Sequence, residues 1–228
     1  GGYRDFFRNR LMIPIRDKGG RILGFGARTL DGSDPKYINT GKTPIFDKGS
    51  ILFNLDKASQ AIKSEGVGVI VEGYMDVIAT HQAGYRNVVA SMGTALTEAQ
   101  VKTLSSLASD FVMALDPDAA GRGATDRSLE TSWRSLEKTL AIRPRTGSPL
   151  YWRQSSELRI AILPQGKDPD QLVRENPEDW TLRIQNAKPL LEYLMEYYIA
   201  DIDLGSPQGK AQAVELLFPV IASEENQY

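Results

Sequence analysis

The 228-residue chain predicts an α/β fold, α+β overall, on three observations. From Val67 onward, apolar runs of strand length (67–71, 87–90, 111–115) alternate with stretches of helical spacing (75–82, 98–108, 119–140). That alternation implies parallel strands joined by right-handed crossovers. Ahead of it, two short apolar runs flank a glycine-containing turn, the mark of a hairpin. Behind it, from Asn176-Pro177, apolar residues recur at helix spacing to the end of the chain. The expected division is a basic β-rich segment over 1–65, a sheet domain over 66–175 with a loop insertion at 143–156, and a helical subdomain over 176–228.

In chain order, Arg10-Leu-Met-Ile-Pro-Ile15 and Arg21-Ile-Leu-Gly-Phe-Gly26 are the hairpin strands around Asp17-Lys-Gly-Gly20. Asp31-Gly-Ser-Asp-Pro35 is a second turn, leading to Lys36-Tyr-Ile-Asn39. The sheet strands and helices follow, with Thr97 placed to cap the helix that opens at Glu98. Residues 158–163 supply a further strand. Between Arg143 and Ser156 a basic, turn-rich loop carries Arg145, Trp152 and Arg153 and shows no periodicity. Trp180, Ile184, Leu190, Leu191, Leu194, Met195 and Tyr198 recur at helix spacing and read as core, and Pro207 at a first helical position opens a last helix.

Composition narrows the chemistry. With 41% hydrophobic and 25% charged residues and a mean hydropathy of −0.31, the chain has the balance of a soluble globular protein. No apolar run approaches the roughly 18 residues of a membrane span. There is no cysteine and one histidine, His81. Disulfides and thiolate zinc are therefore excluded, and any metal site must rest on oxygen ligands, as Mg²⁺, Mn²⁺ and Ca²⁺ prefer. The lack of cysteine suits a reducing, cytoplasmic setting. The start, Gly1-Gly2 without Met, reads as a piece excised from a longer chain.

The net charge of −2 conceals a division. Residues 1–65 hold 12 Lys/Arg and 7 Asp/Glu, whereas 66–228 hold 15 and 22. A positive segment thus precedes an acidic one, as expected where a polyanion is held on one side and a metal on the other.

Three acidic signatures follow apolar runs: Val71-Glu72-Gly-Tyr-Met-Asp76, Leu115-Asp116-Pro-Asp118 and Lys167-Asp168-Pro-Asp170. Ligand sites of open α/β sheets gather at the carboxyl ends of strands. Glu72, directly after Val-Ile-Val, is expected to be badly placed for solvent. Asp76 falls in a first helical turn, where a helix dipole also favours an anion. Asp118 is equally placed to cap a helix. Six converging carboxylates repel one another unless cations intervene, which predicts a divalent-metal site suited to in-line phosphoryl transfer.

These motifs, together with Ala90-Ser-Met-Gly-Thr-Ala-Leu-Thr97, Phe7-Arg8-Asn-Arg10, Gly24-Phe-Gly-Ala-Arg28, Pro35-Lys-Tyr-Ile-Asn39 and Phe46-Asp-Lys48-Gly, resemble the catalytic core of the DnaG family of bacterial replicative DNA primases. The resemblance covers nearly the whole chain and implies a Toprim-type, Rossmann-like sheet flanked by a small mixed β-rich segment and a helical subdomain. It further implies a DNA-directed RNA polymerase that makes short RNA primers from nucleotide triphosphates on a single-stranded DNA template. In that case Glu72, Asp116 and Asp118 are the catalytic, metal-binding acids, with Glu72 also discussed as general acid/base. Asp76, Asp168 and Asp170 complete the Mg²⁺ or Mn²⁺ site. Arg8, Arg10, Arg28, Lys36 and Lys48 serve template or nucleotide binding, with cations neutralising phosphates and nearby aromatics free to stack. The family places an arginine before Phe7 where this chain has Phe6.

The resemblance places the protein in the bacterial cytoplasm at the replisome. It implies no membrane contact, no zinc in this piece, and contacts with the replicative helicase and single-strand-binding protein through regions outside it, the chain ending before any helicase-binding domain. Two other classes share the acidic pattern: Toprim nucleases and topoisomerases that cleave strands, and a non-catalytic nucleic-acid-binding module.

Overall fold

The computed structural model describes residues 2, 4–93, 95–115, 157–200 and 202–225. The expected helix at 119–140, the loop at 143–156 and the pair Asp116 and Asp118 lie outside the described residues.

The hairpin is present: strands β1 (Arg10–Arg16) and β2 (Ile22–Thr29) pair antiparallel around the Asp17 turn. Asp17 organises that turn by accepting hydrogen bonds from the Gly19 and Arg21 amides, both at 2.9 Å. A third strand, β3 (Tyr37–Asn39), pairs antiparallel with the far end of β2, bringing Arg28 opposite Tyr37 and Gly26 opposite Asn39.

Helix α1 (Leu55–Glu65) then ends on Gly66 in the left-handed region, φ 72, where a glycine meets no steric cost. The segment read as β-rich thus contains a helix, and its Leu55, Ala58 and Ile62 pack against the second sheet.

That sheet contains β4 (Val67–Val71), β5 (Val88–Ala90), β6 (Asp110–Leu115), β7 (Glu157–Ile162) and β8 (Lys188–Pro189), in the order β5-β4-β6-β7-β8. The first four strands are mutually parallel, which matches the α/β expectation, and only β8 runs antiparallel. Helices α2 (Tyr74–Gln82) and α3 (Glu98–Ser105) follow β4 and β5. Beyond β7 come α4 (Pro169–Glu175), α5 (Pro177–Gln185), α6 (Leu190–Ile199) and α7 (Pro207–Glu225). Strand β8 interrupts the run expected to be helical, adding two residues to the sheet between α5 and α6.

Alternation along the strands feeds two cores, one on each face of the sheet. Ile70, Phe111, Met113 and Ile160 pack with α1, α3 and with Leu190 and Leu194 of α6. Val69, Val71 and Ala114 face the other way, toward Val77 of α2, Leu172 of α4, Trp180 of α5 and Ile13 and Ile15 of the hairpin. Leu190 and Leu194, read as core from their spacing, pack on this sheet. Because β5 lies on one side of β4 and β6 on the other, the winding reverses at β4, and its carboxyl end opens a crevice.

Ile70 has neighbouring strands on both sides and is 1% exposed. Truncating it to Ala leaves a cavity in close-packed surroundings, and should cost about 2–5 kcal/mol of unfolding free energy. A urea titration measures this; a loss under about 1 kcal/mol would mean that the site collapses around the smaller side chain.

Candidate active site

Glu72 is the first residue beyond β4 and leads with Gly73 into α2. The turn is tied to the end of β5: the Ser91 amide donates to the Val71 carbonyl and the Gly93 amide to that of Glu72, both at 3.2 Å. Glu72 is exposed rather than shielded from solvent, because the buried part of the strand stops at Val71 and the chain bends there.

Gly73, extended at ψ 163, caps α2, and its amide donates to the Asp76 carboxylate at 3.0 Å. Asp76 is half-buried and also accepts from the Asp170 backbone N–H. Burial, with the charges of Asp168 and Asp170 acting in the same direction, pushes the Asp76 carboxyl up to about 6, against the lowering effect of these two hydrogen bonds.

Asp168 is the N-cap of α4, accepting from the Gln171 amide at 2.8 Å, with Pro169 at the first helical position. Asp170, in the first turn, pairs with Arg174 at 2.6 Å. The first residues of α2 and α4 thus present acids to the same space.

The opposite wall comes from the first sheet. Arg28 near the end of β2 and Lys36 just before β3 each lie 5.8 Å from the centre of the Tyr37 ring, at cation–π range. Burial raises the Tyr37 hydroxyl; Arg28 opposes the rise, while Asp76, Asp168 and Asp170 add to it. Lys48 sits in a short 3₁₀ turn (Lys48–Ser50) that Asp47 caps through the Gly49 amide. Thr97 does cap α3, in a reciprocal arrangement with Gln100, and the pair also reaches this turn. The Thr97 hydroxyl donates to the Gly49 carbonyl, and the Gln100 side chain to those of Lys48 and Ile51. Burial lowers the Lys48 ammonium.

One cleft of 570 Å³ collects Arg28, Lys36 and Lys48 with Glu72, Asp76, Asp168 and Asp170. Seven of the residues singled out from the sequence therefore share a cavity at the reversal point of the sheet. Arg8 and Arg10 do not line it. Arg8 is exposed, and the Arg10 guanidinium is spent on the Pro35 carbonyl at 2.8 Å, bracing the turn before β3. Among the described residues no three acids or histidines are gathered tightly enough to form a ready-made metal site. Asp168 and Asp170 are engaged in a cap and an ion pair, and Asp116 and Asp118 lie outside the described residues. The donor set still suits a hard divalent cation: it is all oxygen, and the like charges that raise Asp76 are those a cation would relieve.

Tyr74, Asn39 and Met92 also line the cleft and were given no role from the sequence. Glycine within a strand signals a close approach, and Gly26 was the available pointer to Tyr74. Met92 has φ 65, unusual outside glycine, in the turn after β5.

Residues 1–59 match the family model for the N-terminal domain of the DNA primase catalytic core, 66–144 that for the Toprim domain, and 191–223 that for the DnaB-helicase binding domain of primase. The DNA primase of Pseudomonas aeruginosa is 41% identical over 219 residues, which make up 95% of this chain and 31% of that protein. The chain belongs to the DnaG-type DNA primase family. The DNA primase of Escherichia coli K12 is 39% identical, matching 96% of this chain and 35% of its own length. The chain thus spans about a third of the curated primases it matches. Among solved structures, a primase domain from Pseudomonas aeruginosa superposes with a TM-score of 0.78 at 39% identity, covering 96% of this chain and 64% of that one. A DnaG primase catalytic domain bound to single-stranded DNA gives 0.76 at 36% identity, covering 96% and 66%. Toprim and primase catalytic cores generally use divalent metal ions. The match at 191–223 corrects the expectation that the chain ends before any primase region named for helicase binding. No helix among the described residues is long and apolar enough to cross a membrane.

Asp76 yields a pH prediction. Its folded value of about 6 exceeds the 3.8 of an unperturbed aspartate, so without divalent metal the folded state binds more protons between these values. Its contribution to stability therefore falls as pH rises through that window. In urea titrations with EDTA, the stability of the parent chain relative to Asp76→Asn should decline from about pH 4 to about pH 7. A constant difference would show a carboxyl solvated as in the unfolded chain.

Proposed function

We propose that this chain is the catalytic part of a primase, joining ribonucleotides on a single-stranded DNA template. The observation that carries the reading is the cleft itself, with a cationic wall from the first sheet facing an acidic wall at the carboxyl end of β4. Arg28, Lys36 and Lys48 bind and orient the phosphates of an incoming nucleotide triphosphate and the template backbone. Glu72, Asp116 and Asp118, completed by Asp76, Asp168 and Asp170, hold Mg²⁺ or Mn²⁺. When bound, the divalent ions stabilise charge on the attacking and leaving oxygens.

The 3'-hydroxyl oxygen of the growing RNA attacks the α-phosphorus. The bond to the β-phosphate bridging oxygen breaks and pyrophosphate leaves with the electron pair. Glu72 takes the hydroxyl proton, a reading supported by its exposure and its place in the lining of the cleft. The three segments divide the work: 1–65 handles template and triphosphate, 66–175 holds the metals, and 176–228 supports the sheet and presents α7. That helix exposes Val214, Leu216 and Phe218, within the stretch that matches the helicase-binding model, and this supports docking of the replicative helicase there. Single-strand-binding protein is reached through regions outside this chain, and the setting is the bacterial cytoplasm at the replisome.

Primer synthesis from nucleotide triphosphates on single-stranded DNA, with Mg²⁺ or Mn²⁺, tests the reading. The parent chain should give RNA products, and Glu72→Gln and Asp116→Asn should each lower the rate by about 10²-fold or more. Shortened DNA in place of new RNA would instead mark a strand-cleaving enzyme, and full activity in both variants would remove the assigned acids.

A further inference from the structure

The two walls of the cleft belong to different parts of the fold, and Tyr74 is among the side chains that join them. Tyr74 is the first residue of α2, 4% exposed, with its ring edge-on to Phe53 at 5.1 Å and tilted against Tyr37 at 6.2 Å. Its ring lies flush on Gly26 of β2. A Cβ at that position would fall 2.6 Å from Cζ and 2.8 Å from both Cε2 and the hydroxyl oxygen of Tyr74. The hydroxyl donates to Oδ1 of Asn39, which sits directly across from Gly26 on β3.

We propose that Tyr74 is a positioning residue that docks the cation-bearing sheet on α2 and thereby sets the gap between Arg28 and Lys36 on one wall and Asp76 on the other. Both walls lie close to the contact in sequence. Arg28 is two residues beyond Gly26, on the same face of β2, and Asp76 is two residues beyond Tyr74. The strand carries a glycine where a side chain would otherwise help it pack, and what it gains is this approach. A buried phenol also needs a hydrogen-bond partner, and Asn39 provides one in this docked arrangement. The inference rests on the primase reading for its ligand: a nucleotide triphosphate spans the gap, whereas a divalent ion or a nucleoside monophosphate engages one wall. A displacement of about 1 Å is enough to cost on the order of 10²-fold in rate.

The chain has no cysteine, so spin labels at Lys18→Cys and Gln82→Cys, both exposed and outside the cleft, report the separation of the sheets directly. Introduced into the whole chain, Gly26→Ala should shift or broaden that distance. It should also weaken binding of a nucleotide triphosphate about 10-fold or more, with Mn²⁺ alone and a nucleoside monophosphate held within about 2-fold. Tyr74→Phe, which keeps the ring and loses only the hydroxyl, should do the same to a smaller degree. In Gly26→Ala, Tyr74→Leu should restore part of the loss by making room for the methyl group. An unchanged label distance in Gly26→Ala overturns the proposal, as does an equal loss of all three ligands. If the parent chain makes no primers and binds no triphosphate, the primase reading fails, and the label distance still judges the docking by itself.

Discussion

Everything in this molecule is referred to strand β4, which is paired on both sides and packed on both faces. A strand so enclosed has no freedom to shift register, since a slip by one residue would exchange Ile70 with Val69 and Val71 between two differently shaped cores. Its carboxyl end is therefore a fixed point. Glu72 emerges there, α2 starts within three residues, and the turn after β5 is hydrogen-bonded to it. The winding reversal leaves this end uncovered by the crossover helices, so a strand paired on both sides delivers its last residues to an open crevice.

On that fixed point the protein sets acids and cations on facing walls of one cleft. Burial and the neighbouring charges of Asp168 and Asp170 raise the Asp76 carboxyl, while burial lowers the Lys48 ammonium on the opposite wall. Both strains are of the kind that a polyphosphate with its divalent counter-ions would relieve. Local hydrogen bonds hold the groups in place meanwhile: the Gly73 amide to Asp76, the Gln171 amide to Asp168, and the α3 cap to the Lys48 turn. The cap at Thr97 thus does more than begin a helix; it attaches part of the basic segment to the sheet domain.

Legibility in the sequence followed the range of the signal. The hairpin, the parallel strands and the Thr97 cap were readable because each is written within a few residues, in alternation, turn chemistry or a hydroxyl three positions before Gln100. Helix α1 was legible at Leu55, Ala58 and Ile62, which recur at i, i+3 and i+7, and went unread beside the strand-rich runs that precede it. Strand β8 has two residues, one of them proline, too short for any period to show. Glu72 was placed on the right strand end with the wrong exposure, since a run of apolar residues does not reveal where the chain bends away from the core. The grouping of Arg28, Lys36 and Lys48 opposite the acids came from family resemblance, since no spacing rule links positions separated by tens of residues. Tyr74 was quoted inside a motif and passed over, because its meaning depends on Gly26 nearly fifty positions earlier.

Strand β8 has a bearing on how such a protein behaves in company. It forms one rim of the parallel sheet with only Lys188 and Pro189, and Lys188 reaches back to Glu196 at 2.7 Å. Proline has no amide hydrogen, and an ion pair at the rim resists being covered by another sheet. A second copy arriving edge-on at β8 meets two residues, one of them without an amide hydrogen, rather than a long strand to extend. Copies that meet while folding then find in β8 a poor template for sheet-to-sheet growth.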